Sequence, residues 1–170
     1  SSSPPLVFSR FAVSLLGFFW LITALGDPIV TVGIGVIVMG SGFTKSNSRL
    51  ILAGAIVPAT LLMGSFFKVL FERARPLTEY AANLRLDTYS FPSGHTSGAT
   101  IAYGLLAFVA WQVLPQPFSS IAIALLCILI IAIGISRIYL GAHFPSDVVA
   151  GWLLGFIGLA IIILVVKPRL

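Results

Sequence analysis

The sequence predicts an all-α fold: a polytopic membrane helical bundle with five spanning helices plus an N-terminal helix that is either spanning or interfacial. Three observations carry this. Hydrophobic residues fill 58% of the 170 positions and charged ones 9%, where a soluble domain sits near half apolar and about a quarter charged. The apolar residues gather into runs close to the roughly 20 residues that a helix needs to cross a bilayer. The polar residues gather into short intervals between those runs. Disorder is excluded, because it needs low hydrophobicity and high charge. The net charge of +5 is spread thinly, without a basic run, which argues against nucleic-acid binding. The single cysteine, Cys127, lies inside an apolar run, so neither a disulfide framework nor a cysteine metal site is available. Length points to one domain over residues 1–170. The chain starts at Ser1 rather than Met, which leaves any targeting segment unreadable.

Residues 6–25 come first. Arg10 and Ser14 interrupt this run, and the uninterrupted part, 15–25, is too short to cross alone. Gly26-Asp27-Pro28 then reads as helix stop, N-cap and first-turn proline, starting the next helix within three residues. Residues 29–43, glycine-rich and bounded by Pro28 and Lys45, read as a span; so do 50–71, 97–114, 118–135 and 148–166. The long polar interval is 72–95. Its middle, 77–86, predicts a short helix on the membrane surface, with Tyr80, Tyr89 and Phe91 suited to the headgroup layer. Two spans separate this interval from the loop at 136–147, so both emerge on one face. The other face receives Lys45, Arg49, Lys167 and Arg169, against Arg73, Arg85 and at most Arg10 once the cations assigned below to chemistry are set aside. The positive-inside rule then puts the motif face outside the cytoplasm.

Ionisable residues at span ends are functional candidates by default, and here they cluster. Both histidines, His95 and His143, fall on the motif face, with Lys68, Arg75, Arg137 and Asp147. Lys68 and Arg75, seven residues apart on a helix that Pro76 is expected to end, share one face about 10 Å apart; snorkelling alone would also account for them. In Pro92-Ser93-Gly94-His95, Ser93 is a good N-cap, Gly94 lets a ligand approach the backbone, and the helix start offers free N–H groups to an anion. A plain cap with an incidental histidine is the competing reading. Arg137 closes the fifth span, where a cation complements the helix dipole in any case. Pro145 fits the first helical position, so Asp147 falls about one turn from His143, able to fix its tautomer and leave the other ring nitrogen free. A capping or metal-binding histidine is the alternative, but Asp147 is the only acid in these motifs, which disfavours a hard cation. Together, three cations, two histidines, one carboxylate and a helix-end N–H nest are what phosphoryl transfer without a metal asks for. Gly151 and Gly155 suit close helix packing.

These residues resemble the signature of the type 2 phosphatidic acid phosphatase superfamily, which includes membrane lipid phosphatases and soluble vanadium haloperoxidases. Its three blocks stand here as Lys68…Arg75-Pro76, Pro92-Ser93-Gly94-His95 and Ser136-Arg137…His143…Asp147, complete and in order. The resemblance covers 29–166; before Gly26 it weakens, and family members commonly carry a further span ahead of a short external helix, which 6–25 then resembles. It implies that His143 attacks phosphorus to form a phosphohistidine, that Asp147 orients it, and that His95 serves as acid and then base. It also implies that Lys68, Arg75, Ser93, Gly94 and Arg137 hold the phosphate. No cofactor and no metal are implied. The implied substrate is a lipid phosphate (undecaprenyl pyrophosphate, a cell-wall lipid carrier, or phosphatidylglycerol phosphate or phosphatidic acid), met in the bilayer of a bacterial plasma membrane on the extracytoplasmic side. The hydrophobicity excludes the soluble haloperoxidases. A phosphotransferase using a non-water acceptor and a non-catalytic anionic-lipid binder are the alternatives, and the oligomeric state is not readable.

Overall fold

The computed structural model describes residues 6–83 and 88–166. Within them the chain is all-helical: α1 (Leu6–Leu25), α2 (Pro28–Thr44), α3 (Ser48–Phe71), α4 (Glu79–Asn83), α5 (Gly94–Val113), α6 (Phe118–Tyr139) and α7 (Pro145–Val166). Five segments are long and apolar enough to cross a membrane: Leu15–Thr44, which joins the end of α1 to α2, and then α3, α5, α6 and α7. The five spans read from the sequence are all helices, most extended a little by polar residues that cap them. The Asp27 side chain accepts from Ile29 N at 2.8 Å, with Pro28 opening α2, and the Asn47 side chain accepts from Arg49 N and Leu50 N at the start of α3. The surface helix expected over 77–86 is α4, and residues 84–87 lie outside the described residues. So do Arg85, Lys167, Arg169 and the side chain of Arg10, on which the charge comparison between faces draws.

α5 is the central helix. Every residue from Thr96 to Leu105 is buried, because α2, α3, α6 and α7 all pack on it. Lipid provides no hydrophobic drive for helices to associate, so close packing of small residues must hold them. α7 approaches α5 through glycines: a Cβ on Gly155 would fall 2.4 Å from Thr100 Cβ, and one on Gly151 would fall 2.8 Å from Ser93 O. Buried hydroxyls are satisfied along the helix, as in Thr100 Oγ1 donating to Thr96 O at 2.7 Å. The outer surfaces are aliphatic, with Ile37 72%, Leu62 71% and Leu164 75% exposed, a composition that suits hydrocarbon and not water.

α1 meets the bundle at the motif end. Phe19 stacks on Tyr139 with ring centroids 4.1 Å apart, Thr23 reaches Arg137, and a Cβ on Gly26 would lie 2.5 Å from the Ile133 side chain. From Gly26 back to Phe19 these contacts climb α6 to its last residue, so the remainder of α1 extends past the end of α6.

Candidate active site

Three stretches of chain meet at one end of the bundle, each attached to the end of a long helix. The first follows α3. The helix stops at Phe71, where Glu72 takes a left-handed backbone conformation (φ 44°, ψ 31°) and its N–H closes on Lys68 O. Arg75 is therefore not on the helix with Lys68, as the seven-residue spacing suggests, but in the loop beyond it. Tertiary hydrogen bonds hold that loop. Ser90 N donates to Arg73 O at 2.8 Å. Arg75 donates from Nε to Thr88 O at 3.0 Å, from Nη2 to Thr88 Oγ1 at 3.0 Å, and from Nη1 to Ala142 O at 3.1 Å. Pro76 further biases Arg75 away from helical geometry. Lys68, in the last turn of α3, donates to Tyr89 O at 2.6 Å, so the first motif is bound directly to the run leading into the second.

That run ends at Ser93, wholly buried, whose Oγ accepts from Thr96 N at 3.4 Å and from Thr96 Oγ1 at 2.9 Å. Ser93 thus serves as the N-cap of α5. Gly94 and His95 form the first turn. A Cβ on Gly94 would meet nothing within 4 Å, so the helix start opens onto free space. His95 is half-buried and lies within Coulombic reach of Arg137, His143, Arg75 and Lys68. Ser93 N donates to Asp147 O at 3.0 Å, which ties the second motif to the third.

The third stretch runs from the end of α6 into α7. Arg137 is 2% exposed; its Nη1 donates to Thr23 Oγ1 at 2.6 Å and to the Tyr80 hydroxyl at 3.3 Å, and its Nε has no partner among the described residues. A cation merely complementing a helix dipole would sit in the headgroup layer; this one is inside. Pro145 opens α7, and Asp147, two residues on, reaches back so that Phe144 N donates to its Oδ2 at 2.9 Å, half of a capping box. His143 Nδ1 lies 3.5 Å from Asp147 Oδ2 and His143 Nε2 lies 3.4 Å from Arg75 Nη1. Burial, followed by the Arg137, Arg75 and Lys68 charges, outweighs the hydrogen bond to Asp147 and lowers the His143 pKa to about 4, so the ring is neutral at pH 7. Burial and then Arg137 lower the Arg75 pKa as well.

The structure therefore brings all eight sequence-predicted residues to one end of the bundle: Lys68, Arg75, Ser93, Gly94, His95, Arg137, His143 and Asp147. It adds four that the motifs do not contain. Arg73 Nη1 pairs with Asp147 Oδ1 at 2.7 Å and lies over the Phe144 ring, 4.4 Å from its centroid. Ser90, fully buried, donates from Oγ to Asp147 Oδ2. Thr23 and Tyr80 hold Arg137 from α1 and α4. Among the described residues no three His, Cys, Asp or Glu side chains gather where they could hold a metal. An apolar cavity of about 320 Å³ runs between α2 and α3, lined by Val32, Leu61, Leu62 and Ser65, with Lys68 and Gly94 also on its wall. Chemically, the cluster presents cations and helix N–H groups to an anion, with a neutral imidazole beside them.

The sequence profile of the PAP2 superfamily matches residues 48–170. Phosphatidylglycerophosphatase B of Bacillus subtilis (strain 168) is 29% identical over 126 residues, 72% of this chain and 61% of its own length. The putative undecaprenyl-diphosphatase YbjG of Escherichia coli (strain K12) is 32% identical over 120 residues, 69% of this chain and 57% of its own. Lipid A 4'-phosphatase of Porphyromonas gingivalis is 30% identical over 155 residues, 83% of this chain and 61% of its own. The chain thus spans about three fifths of the length of these relatives. The crystal structure of the transmembrane PAP2-type phosphatidylglycerolphosphate phosphatase from Bacillus subtilis superposes with a TM-score of 0.76 at 28% identity, covering 87% of this chain and 74% of that one.

Proposed function

The chain belongs to the PAP2 superfamily, and from that membership and the geometry above we propose that it is an integral-membrane lipid phosphatase working through a phosphohistidine on His143. The observation that carries this reading is the convergence of three cations, two imidazoles, one carboxylate and the α5 N-terminus at the end of a lipid-facing bundle. In the first step His143 Nε2 forms a bond to phosphorus while the bond to the leaving oxygen breaks, and His95 supplies that oxygen with its proton. In the second, His95 takes a proton from water, whose oxygen displaces the histidine. Lys68, Arg75, Arg137, the Ser93 hydroxyl and the Gly94 N–H stabilise the charge on the equatorial oxygens, so the reaction needs no metal. Asp147 orients His143 and balances the charge the ring acquires.

The apolar cavity between α2 and α3 ends at Lys68 and Gly94, which suits a substrate whose phosphate sits at headgroup level and whose tail stays in the bilayer. Undecaprenyl pyrophosphate, phosphatidylglycerol phosphate and phosphatidic acid all meet that description. We place the protein in a bacterial plasma membrane with the site on the extracytoplasmic face, as one membrane-embedded domain. Purified protein in proteoliposomes should release phosphate from such lipids in the presence of EDTA, and His143→Ala should abolish release. Full activity in His143→Ala, or no release across a panel of isoprenoid and glycerol lipid phosphates, would refute the proposal.

A further inference from the structure

Ser90 stands between the two members of the His143–Asp147 pair. Its side chain has no exposure. Its Oγ donates to Asp147 Oδ2 and lies 3.5 Å from His143 Nδ1, the same distance that separates Nδ1 from Oδ2. The proton positions follow from the partners. A guanidinium only donates, and Arg75 Nη1 faces His143 Nε2 at 3.4 Å, so Nε2 carries the lone pair and the ring proton is on Nδ1. Asp147 is held as a carboxylate by the Arg73 ion pair at 2.7 Å and the Phe144 N–H at 2.9 Å. A carboxylate only accepts, so the single Ser90 proton goes to Oδ2. The Ser90 lone pairs are then left for the Nδ1–H of His143.

We propose that Ser90 is a positioning residue for His143: its hydroxyl accepts the Nδ1–H and donates to Asp147, holding the ring in the orientation from which Nε2 can attack. This deepens the phosphohistidine reading and rests on it. Arg73 contributes from the other side, since its hold on Oδ1 stops the carboxylate from rotating and leaves Oδ2 for Ser90, Phe144 and His143. As the nitrogen–phosphorus bond forms and the phosphorus–oxygen bond breaks, the ring becomes cationic and its Nδ1–H a stronger donor. The proton stays on the ring, and the Ser90 and Asp147 oxygens answer the new charge.

The test uses the full chain in lipid nanodiscs, with nitrogen-labelled histidine. His143 resonances are identified by their loss in His143→Ala. Wild-type His143 should show a protonated Nδ1 and an unprotonated Nε2; in Ser90→Ala, where Arg75 and Asp147 still favour that tautomer, the Nδ1–H resonance should shift upfield and exchange faster with water as it loses the Ser90 acceptor. In phosphate release, Ser90→Ala should lower kcat by about 10- to 100-fold, comparable to the cost of losing an outer-shell group that orients a metal-ligating histidine, with KM changed by less than about twofold. The acid limb of kcat/KM should move to lower pH, because the imidazolium loses the Ser90 oxygen that accepts its Nδ1–H. Ser90→Thr, which keeps the hydroxyl, should restore most of kcat and the wild-type Nδ1–H resonance. A wild-type Nδ1–H resonance and an unmoved pH profile in Ser90→Ala would overturn the proposal, whatever the loss of stability. If the wild-type protein hydrolyses no lipid phosphate, the phosphatase reading fails by itself, and the nitrogen spectra still decide whether Ser90 accepts the Nδ1–H.

Discussion

Replacing Gly151 by alanine should damage the site without touching any group assigned to chemistry. Gly151 lies on α7 one turn after Asp147, where the helix crosses the start of α5. An added Cβ would stand 2.8 Å from Ser93 O and 2.9 Å from Thr96 Cβ, where ordinary contact begins at 3.4 Å. The obstacles are backbone and a β-branched side chain, not a flexible tip, so α7 and α5 must part by about 0.6 Å. That separation falls between His143 and Asp147 on one side and Ser93, Gly94 and His95 on the other. A shift of about 1 Å in reacting groups costs roughly 100-fold, so kcat should fall between about 10- and 100-fold. Overpacking itself should cost about 1–3 kcal/mol of stability. Phosphate release at saturating lipid and thermal unfolding in detergent measure the two effects. Gly33→Ala is the control, since nothing lies within 4 Å of that position, and it should match the wild type in both. Wild-type kcat in Gly151→Ala would refute the idea that this helix contact sets the site's geometry.

Further outcomes follow from the same geometry. With the His143 pKa near 4 against 6.5 for a free histidine, the neutral nucleophile persists through mildly acid pH. The activity titration of kcat/KM should therefore stay flat down to about pH 5 and fall near pH 4. The folded state binds fewer protons than the unfolded one between those two values, so this group's contribution to stability is whole above pH 6.5 and is lost as pH falls toward 4. Asp147→Asn should lower kcat and largely spare KM, while Arg137→Lys, which loses the planar fork, should lower kcat/KM by about 100-fold; equal effects on KM in both variants would contradict the division of roles. Val32→Trp, which fills the cavity between α2 and α3, should raise KM for long-tailed lipid phosphates and leave short-chain analogues unchanged. An equal effect on both would show that the cavity does not receive the tail.

The sequence revealed most of this arrangement because a membrane makes polar residues conspicuous. Lys68, His95, Arg137, His143 and Asp147 stand at the ends of apolar runs, and the count of spans between loops put them on one face. What it hid were contacts made by residues with an ordinary excuse for being where they are. Arg73 reads as one more interfacial cation and Ser90 as loop, yet both hold Asp147. An extended reading of 72–76 points to Arg73, since residues two apart then share a side with Arg75. Helical spacing obscured that, because the helix stops at Phe71 and the stretch beyond it is held by segments 13 or more residues away, with Ser90 N donating to Arg73 O and Arg75 donating to Thr88 O and Ala142 O. Thr23 and Tyr80 carry no local signal; only packing brings α1 and α4 to Arg137. Gly151 and Gly155 were legible as packing positions but not as the contact that sets how far His143 lies from the α5 N-terminus.

Trapping the phosphorylated intermediate decides whether His143 is the nucleophile. Protein mixed with a lipid carrying radiolabelled phosphate, then denatured within the first turnover, should retain label in a bond stable to alkali and labile to acid, on a peptide containing His143. Label should be absent in His143→Ala and should accumulate in His95→Ala given a substrate whose leaving group needs no proton. A wild-type protein that turns over lipid phosphate at full rate yet never carries the label, or carries it on another residue, would contradict the account.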